Sequence, residues 1–338
     1  MHFTPVQMIG TQRSGSNLLR LMLNQLDGVS APHPPHILER FSPLLPAYND
    51  LTNPDNFSRL VADVCKLIEF NPVPWIGVNL QTSAIVARCR QPLLTEVFRV
   101  IYEMRAESEN ARIWICKSLA NVKFADQLED NAVNPLYIHL FRDGRDVALS
   151  FKKAIVGEKH IYHIAQQWKD EQEASLRLAD KIGNSRMLKV RYEDLIANPA
   201  KELKKICRFI GADYNPVALD YYHSEESHKT AHSGVMWENV EKPVISNNYN
   251  KYKKELSATD IHLFEQVAGE TLEKLGYSFS FPKNGHYMFS YEEIKSYSEL
   301  NMKLKLEARL LSKPEDLEKR KNLELHLQNI EARIKTGK

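Results

Sequence analysis

Residues 4–26 constrain the fold more than any other stretch. Val6 to Ile9 is short and apolar, and it runs into the tight polar loop Gly10-Thr11-Gln12-Arg13-Ser14-Gly15-Ser16-Asn17. Leu18, Leu19, Leu21, Met22, Leu23 and Leu26 follow at helical spacing with a wide apolar stripe. Strand, glycine loop and helix in that order predict the first unit of a parallel sheet with helices packed on it. The prolines of Pro32-His33-Pro34-Pro35-His36 end the unit, because proline cannot continue a helix.

The same alternation returns later. Arg112–Cys116, Leu136–Phe141 and Met187–Val190 are short, apolar and each followed by a helical pattern. The expected architecture is therefore α/β, in three layers, with a central parallel sheet and a phosphate-loop-like turn. Between the first unit and residue 112 lies a mostly helical insertion, about 41–110, with helices expected over Asn56–Glu69 and Thr82–Glu107. Residues 224–250 read as an irregular polar loop or lid. A helix over Ala258–Leu275 should stop at Gly276. The stretch from Tyr291 to Lys335 reads as charged helix broken at Pro314.

Gly10 and Gly15 have the GxxxxG spacing of a phosphate loop. In a nucleotide triphosphatase the next residue is Lys. Here it is Ser16, followed by Asn17, and the positive charge sits inside the loop at Arg13. Inward backbone N–H groups and the helix N-terminus still make an anion cradle. A guanidinium forks well onto phosphate or sulfate oxygens. Without the Lys, the loop suits a 5′-phosphate better than a triphosphate. On its own the spacing also occurs in a structural turn with a solvated arginine.

A second anion grip is expected at Phe141-Arg142-Asp143-Gly144-Arg145-Asp146 through Ser150. Arg142 ends a strand, and Ser150 follows about two helical turns on. The bland reading is a helix start capped by Asp143. Arg13, Lys117 and Arg142 all fall just past strand ends, where open α/β sheets bind ligands. Three cations at one edge point to an anion, and two separated grips point to a nucleotide with two separated phosphates.

The formal charge of only +2 over 338 residues speaks against a broad nucleic-acid surface. Cys65, Cys89, Cys116 and Cys207 are scattered, with neither a zinc spacing nor a disulfide framework. No metal-ligand cluster is evident, so no metal is expected. With no leader segment or 18-residue apolar run, the expected setting is the cytoplasm, without a membrane span.

Taken together, these motifs resemble the sulfotransferase family that uses 3′-phosphoadenosine 5′-phosphosulfate (PAPS). Gly10-Thr11-Gln12-Arg13-Ser14-Gly15-Ser16-Asn17-Leu18-Leu19 is similar to its 5′-phosphosulfate loop, and Phe141–Asp146 through Ser150 to its 3′-phosphate motif. Val190-Arg191-Tyr192-Glu193-Asp194-Leu195 resembles the strand end that supplies a nucleotide contact. Lys242-Pro243-Val244, with Leu275-Gly276-Tyr277 downstream, resembles the closing segment of the tyrosylprotein and carbohydrate branches. The resemblance covers residues 4–35 and 112–280 and implies a sulfotransferase domain over 1–282 with a helical extension over 283–338.

It also implies roles. Arg13, Ser14, Gly15, Ser16 and Asn17 would hold the 5′-phosphosulfate. Arg142 and Ser150 would hold the 3′-phosphate, Tyr192 would lie near the nucleotide, and Lys242 on the segment that folds over it. Lys117 matches a strand-end Lys of the tyrosylprotein branch, so Arg13 and Lys117 would stabilise the transferring group, with PAP as the product. Where that branch has a Glu twenty residues after the loop Arg, this chain has His33. A neutral imidazole is well poised as the base that takes the acceptor's proton. His36 is the rival on the same proline-rich loop.

Residues 41–110 hold eight acidic and six basic side chains beside Phe41, Leu44, Leu45, Tyr48, Phe57, Phe70 and Trp75. A polyanionic glycan would call for a basic groove. The expected acceptor is a small-molecule hydroxyl, such as a sterol or other amphipathic alcohol, with carbohydrate and phenol or tyrosine as alternatives. Met236 and Trp237 are expected to close over it. The tail carries twelve basic and nine acidic residues between 283 and 338, and reads as a solvated hairpin or a homodimer arm. Two rival readings are a P-loop kinase or NTPase, which would want a loop Lys, and a nucleotide-binding scaffold without catalysis.

Overall fold

The computed structural model describes residues 2–282, 287–311 and 313–336, the side chains of Val235, Met236, Asp316 and Thr336 excepted. A five-stranded, wholly parallel sheet organises the chain, in the order β2-β3-β1-β4-β5. The strands are β1 (Thr4–Gly10), β2 (Val29–Ser30), β3 (Ile113–Cys116), β4 (Leu136–Phe141) and β5 (Met187–Arg191). β1 is central and its last five residues are buried, as a parallel strand covered on both faces requires. Register pairs Gln7 with Cys116 and Gly10 with Leu140. A Cβ at Gly10 would meet the Leu140 carbonyl oxygen at 2.3 Å, at a φ of +129°, so only glycine fits this exit from β1.

Side chains alternate across the sheet. Val6, Met8, Ile138, Leu140 and Val190 pack against α1 (Ser16–Leu23) and against a later helix through Leu203 and Ile206. Ile9, Tyr137 and Met187 face the other way, onto Leu178 and Ala179. These two layers sandwich the sheet.

Between β2 and β3 run α2 (Ile37–Phe41), α3 (Pro54–Glu69), α4 (Thr82–Arg88) and α5 (Leu94–Ser108). Asn53 caps α3, its side chain accepting from the Asp55 N–H at 2.9 Å, with Pro54 in the first turn. The single helix expected over Thr82–Glu107 is instead two, α4 and α5. Pro92 has no N–H to donate, and it disfavours helical backbone at Gln91. Leu60, Val64, Phe98 and Tyr102 fill the core of this unit, together with Trp114 of β3.

After β3 come α6 (Ala125–Asp130), then β4 and α7 (Gly144–Lys153), which Asp143 caps by accepting from the Arg145 N–H at 3.0 Å. Next are α8 (Ile161–Ile182), β5, α9 (Tyr192–Ala197) and α10 (Pro199–Ile210). Residues 224–250, expected to be irregular, contain α11 (Glu225–His232) and a 3₁₀ segment, Val235–Glu241. Ser224 caps α11 through the Ser227 N–H. Within this stretch, Ser224, residues 233–234 and residues 242–250 lie outside helices. Then come α12 (Tyr252–Glu255), α13 (Ala258–Lys274), α14 (Tyr291–Leu310) and α15 (Pro314–Thr336), with the break at Pro314 as expected. α15 returns to the α3 unit, where Leu323 and Ile330 are buried and Arg333 pairs with Asp63 at 2.7 Å. No helix among the described residues is long and apolar enough to cross a membrane.

Candidate active site

Each of the five strands ends beside one wall of a single cleft of about 770 Å³. β1 delivers the loop with Arg13, Gly15, Ser16 and Asn17. β2 leads to His33, β3 to Lys117, β4 to Arg142 and β5 to Tyr192. The volume lies within the usual range of a small-molecule pocket. β2 is only two residues long and was not read from the sequence, yet it brings His33 to the same sheet edge as the three cations.

The loop's strain is visible at Arg13, a non-glycine residue at φ +72°, and at Gly15, φ +88°, which caps α1. A Cβ at Gly15 would collide with the Tyr192 ring at 2.3 Å. The ring of Tyr192 therefore braces the loop from beneath. The Arg142 guanidinium stacks over that ring at 4.5 Å, and Asn248 Nδ2 donates to the Tyr192 hydroxyl at 2.8 Å.

The two anion motifs are bonded to each other. Arg13 Nε donates to Ser150 Oγ at 3.0 Å, and Arg142 Nη1 to the Arg13 carbonyl at 3.2 Å. Arg142 Nη2 donates to the Asn248 carbonyl at 2.9 Å, while its Nε is buried without a hydrogen-bond partner among the described residues. Burial, and the neighbouring charge of Arg142, hold the Arg13 pKa down to about 10. Such a pair of crowded guanidiniums favours an incoming anion.

Lys117 Nζ donates to Asn17 Oδ1 at 2.9 Å. Burial, then the charges of Arg20 and Arg13, push its pKa down to about 7. Arg20 is a second finding that the sequence reading passed over. It lies wholly buried on α1, bonded to the Ala31 carbonyl at 3.0 Å, Glu226 at 2.8 Å and Thr230 at 2.9 Å. It ties α11 to the loop helix.

His33 is buried, and neither ring nitrogen has a hydrogen-bond partner among the described residues. Burial foremost, then Lys117 and Arg20, hold its pKa well below the usual value, so the ring is neutral at pH 7. The Trp75 indole donates to the His33 carbonyl at 2.7 Å, and the Trp237 ring meets the imidazole edge-on at 5.2 Å. The insertion thus fixes the backbone of the histidine. His36 also lines the cleft, but its Nδ1 lies 3.3 Å from Glu39 Oε2.

Two expected contacts sit elsewhere. Ser14 is wholly buried and does not line the cleft. Lys242 is exposed, and its carbonyl accepts from the Tyr221 hydroxyl at 2.7 Å. Pro243, Val244, Ile245 and Asn248 after it form the wall. Trp237 lines the cleft, whereas the side chain of Met236 lies outside the described residues. Among the described residues no group of three His, Cys, Asp or Glu is arranged to hold a metal ion.

Comparison with known proteins agrees with this geometry. Residues 5–216 match the family described as the sulfotransferase family. The sulfotransferase domain of the olefin synthase of Synechococcus PCC 7002 superposes with a TM-score of 0.54 at 23% identity, over 82% of this chain and 96% of that one. The sulfotransferase domain from the curacin biosynthetic pathway gives 0.51 at 19%, over 82% and 99%. At these identities the likeness is one of fold. No curated protein matches the chain.

Proposed function

We infer that this chain, which belongs to the sulfotransferase family, transfers the sulfuryl group of PAPS to the hydroxyl of a small acceptor. The convergence of Arg13, His33, Lys117, Arg142 and Tyr192 from five strand ends into one cleft carries the reading. The residues fit the donor's chemistry. Gly15, Ser16 and Asn17 offer backbone N–H groups at the start of α1, and Arg13 stands beside them for the 5′ end. Arg142, with a buried Nε that has no partner among the described residues, and Ser150 serve the 3′-phosphate. Tyr192 holds both grips in register.

The donor, when bound, supplies an activated sulfuryl group and a phosphate leaving group. The chain's own work is to position, to neutralise and to move one proton. Arg13 and Lys117 are the cations that would neutralise the negative charge that accumulates on transfer. Lys117, with a pKa near 7 in the free protein, gains a full positive charge beside an anion. His33 is neutral and its nitrogens lack partners, so one can accept the acceptor's proton directly. A base that is hard to protonate in the free protein becomes stronger once the donor's charge offsets Lys117 and Arg20.

The acceptor end is shaped by the insertion and by Trp237, and the reading favours a small amphipathic alcohol. His33→Ala is the direct test. Transfer from labelled PAPS should fall by at least about 10²-fold, since general-base catalysis contributes about 10²–10⁴. PAP should still raise the melting temperature. Full transfer in the variant would move the base elsewhere.

A further inference from the structure

α7 carries Ser150 near its C-terminal end, and the chain then turns through residues 154–156, which line the cleft. The last carbonyls of a helix have no partner within it. Here a buried ammonium reaches them. Lys159 is only 4% exposed, and its Nζ donates to the carbonyls of Phe151 at 2.8 Å, Ala154 at 2.5 Å and Val156 at 2.9 Å. Three donors meet three acceptors, which leaves none for a ligand. Gly157 makes the turn possible. It sits at φ +79°, and a Cβ there would meet the Phe151 ring at 2.5 Å. Burial, then the charge of Arg13, hold the Lys159 pKa down to about 8, against the pull of Glu158, so the ammonium predominates at pH 7.

Lys159 is held in turn from α14. Asn301 is buried on a helix whose other side chains are half-buried or exposed. Its Oδ1 accepts from the N–H groups of Lys159 at 2.8 Å and His160 at 3.0 Å. Its Nδ2 donates to Glu158 Oε2, and Lys305 Nζ donates to Glu158 Oε1 at 3.1 Å. A buried amide is tolerated when both of its ends are bonded, as here. α14 lies beyond residues 5–216, which match the family.

We propose that Lys159 is a positioning residue for the donor's 3′-phosphate, fixing the last turn of α7 with Ser150 and the wall at residues 154–156, and that Asn301 of α14 keeps it in place. This rests on the sulfotransferase reading and deepens it at the same site. The link to the grip is short. Ser150 directly precedes Phe151, and its Oγ accepts from Arg13 Nε at 3.0 Å. Without the ammonium, three carbonyls between residues 151 and 156 lose a donor, and the turn that carries them is free to shift. The phosphate loop has its own brace in the Tyr192 ring, so the 5′ grip stays. α14 thereby acts on the cleft without lining it.

The test is calorimetric titration of wild type, Lys159→Met and Asn301→Ala with PAP and with adenosine 5′-monophosphate (AMP), which lacks the 3′-phosphate. Wild type should bind PAP at least about tenfold more tightly than AMP, since guanidinium–phosphate hydrogen bonds are charge-assisted. Lys159→Met should cut that preference to about threefold or less and leave AMP affinity within about threefold, because a displaced grip loses its bonds while the loop keeps its own. Asn301→Ala keeps every charge, so it separates position from charge. It should lower the preference at least about threefold by the same displacement. A merely structural role would lower the melting temperature of both variants and leave the ratio of PAP to AMP affinity unchanged, which would overturn the proposal. An equal fall in both affinities would overturn it too. Should Lys159→Met fail to fold, Asn301→Ala decides alone: a lowered ratio supports the proposal and an unchanged one overturns it. Wild type that shows no preference for PAP would instead overturn the sulfotransferase reading of the site, and this proposal with it.

Discussion

Lys117 should take up a proton when PAP binds. In the free protein its pKa is near 7 because burial, Arg20 and Arg13 disfavour the ammonium. At pH 8 a group with that pKa is about 10% protonated, and at pH 7 about half. A phosphate placed beside it restores the charged form. Uptake should therefore be about 0.9 proton at pH 8, about 0.5 at pH 7 and about 0.1 at pH 6. The ligand's own phosphate, with a second pKa of about 6, adds little above pH 7. Affinity should be greatest below pH 7 and weaken by up to about tenfold per unit above it. Calorimetry at pH 8 in two buffers of different ionisation enthalpy reads the uptake directly, and Lys117→Met should abolish it. Identical enthalpies in both buffers, or unchanged uptake in the variant, would refute the assignment. The same depression acts on stability. Between pH 7 and 10.5 the unfolded chain holds the Lys117 proton and the native one does not, so wild-type stability rises with pH across that window. Lys117→Met should therefore be more stable than wild type below pH 7, by at most about 4–5 kcal/mol, with the difference fading toward pH 10.5.

Two other perturbations follow from the geometry. Gly15→Ala should weaken PAP binding by at least about tenfold, because the methyl meets the Tyr192 ring at 2.3 Å and the position needs φ +88°. Isothermal titration checks this, and unchanged affinity would mean that the ring yields. Glu226→Ala removes the carboxylate paired with the wholly buried Arg20. Allowing for the partial exposure of Glu226, it should lower stability by about 2–3 kcal/mol, read as a shifted urea midpoint at constant slope.

Much of this was legible because it is local. The residues of β1, its loop and α1 are contiguous, and both the glycine spacing and the leucine stripe survive in one short window. Lys117 and Arg142 stood out because each follows an apolar run. What escaped depends on distance. β2 has two residues, too few for any periodicity, and its place is set by pairing with β3. Arg20 reads as one polar residue inside an apolar helix, and only Glu226, 206 positions on, explains it. Asn248 does its work through Arg142 and Tyr192, again across the fold. α11 had a usable signal in Ser224 followed by two acids, the pattern of a capped helix start, but the polar composition of 224–250 concealed it. Arg40 and Arg320 carry no motif at all and line one cleft only because α15 folds back.

That return has a temporal consequence. Arg333 pairs with Asp63 across 270 positions, and Leu323 and Ile330 plug the core built on α3. A nascent chain on the ribosome can complete its sheet long before α15 is synthesised, but the insertion must wait with an open apolar face. The sheet edge that carries the cleft and the insertion beside it therefore mature at different moments of synthesis. A stop before Leu323 would yield a protein whose sheet is intact and whose insertion core stays exposed to chaperones and proteases.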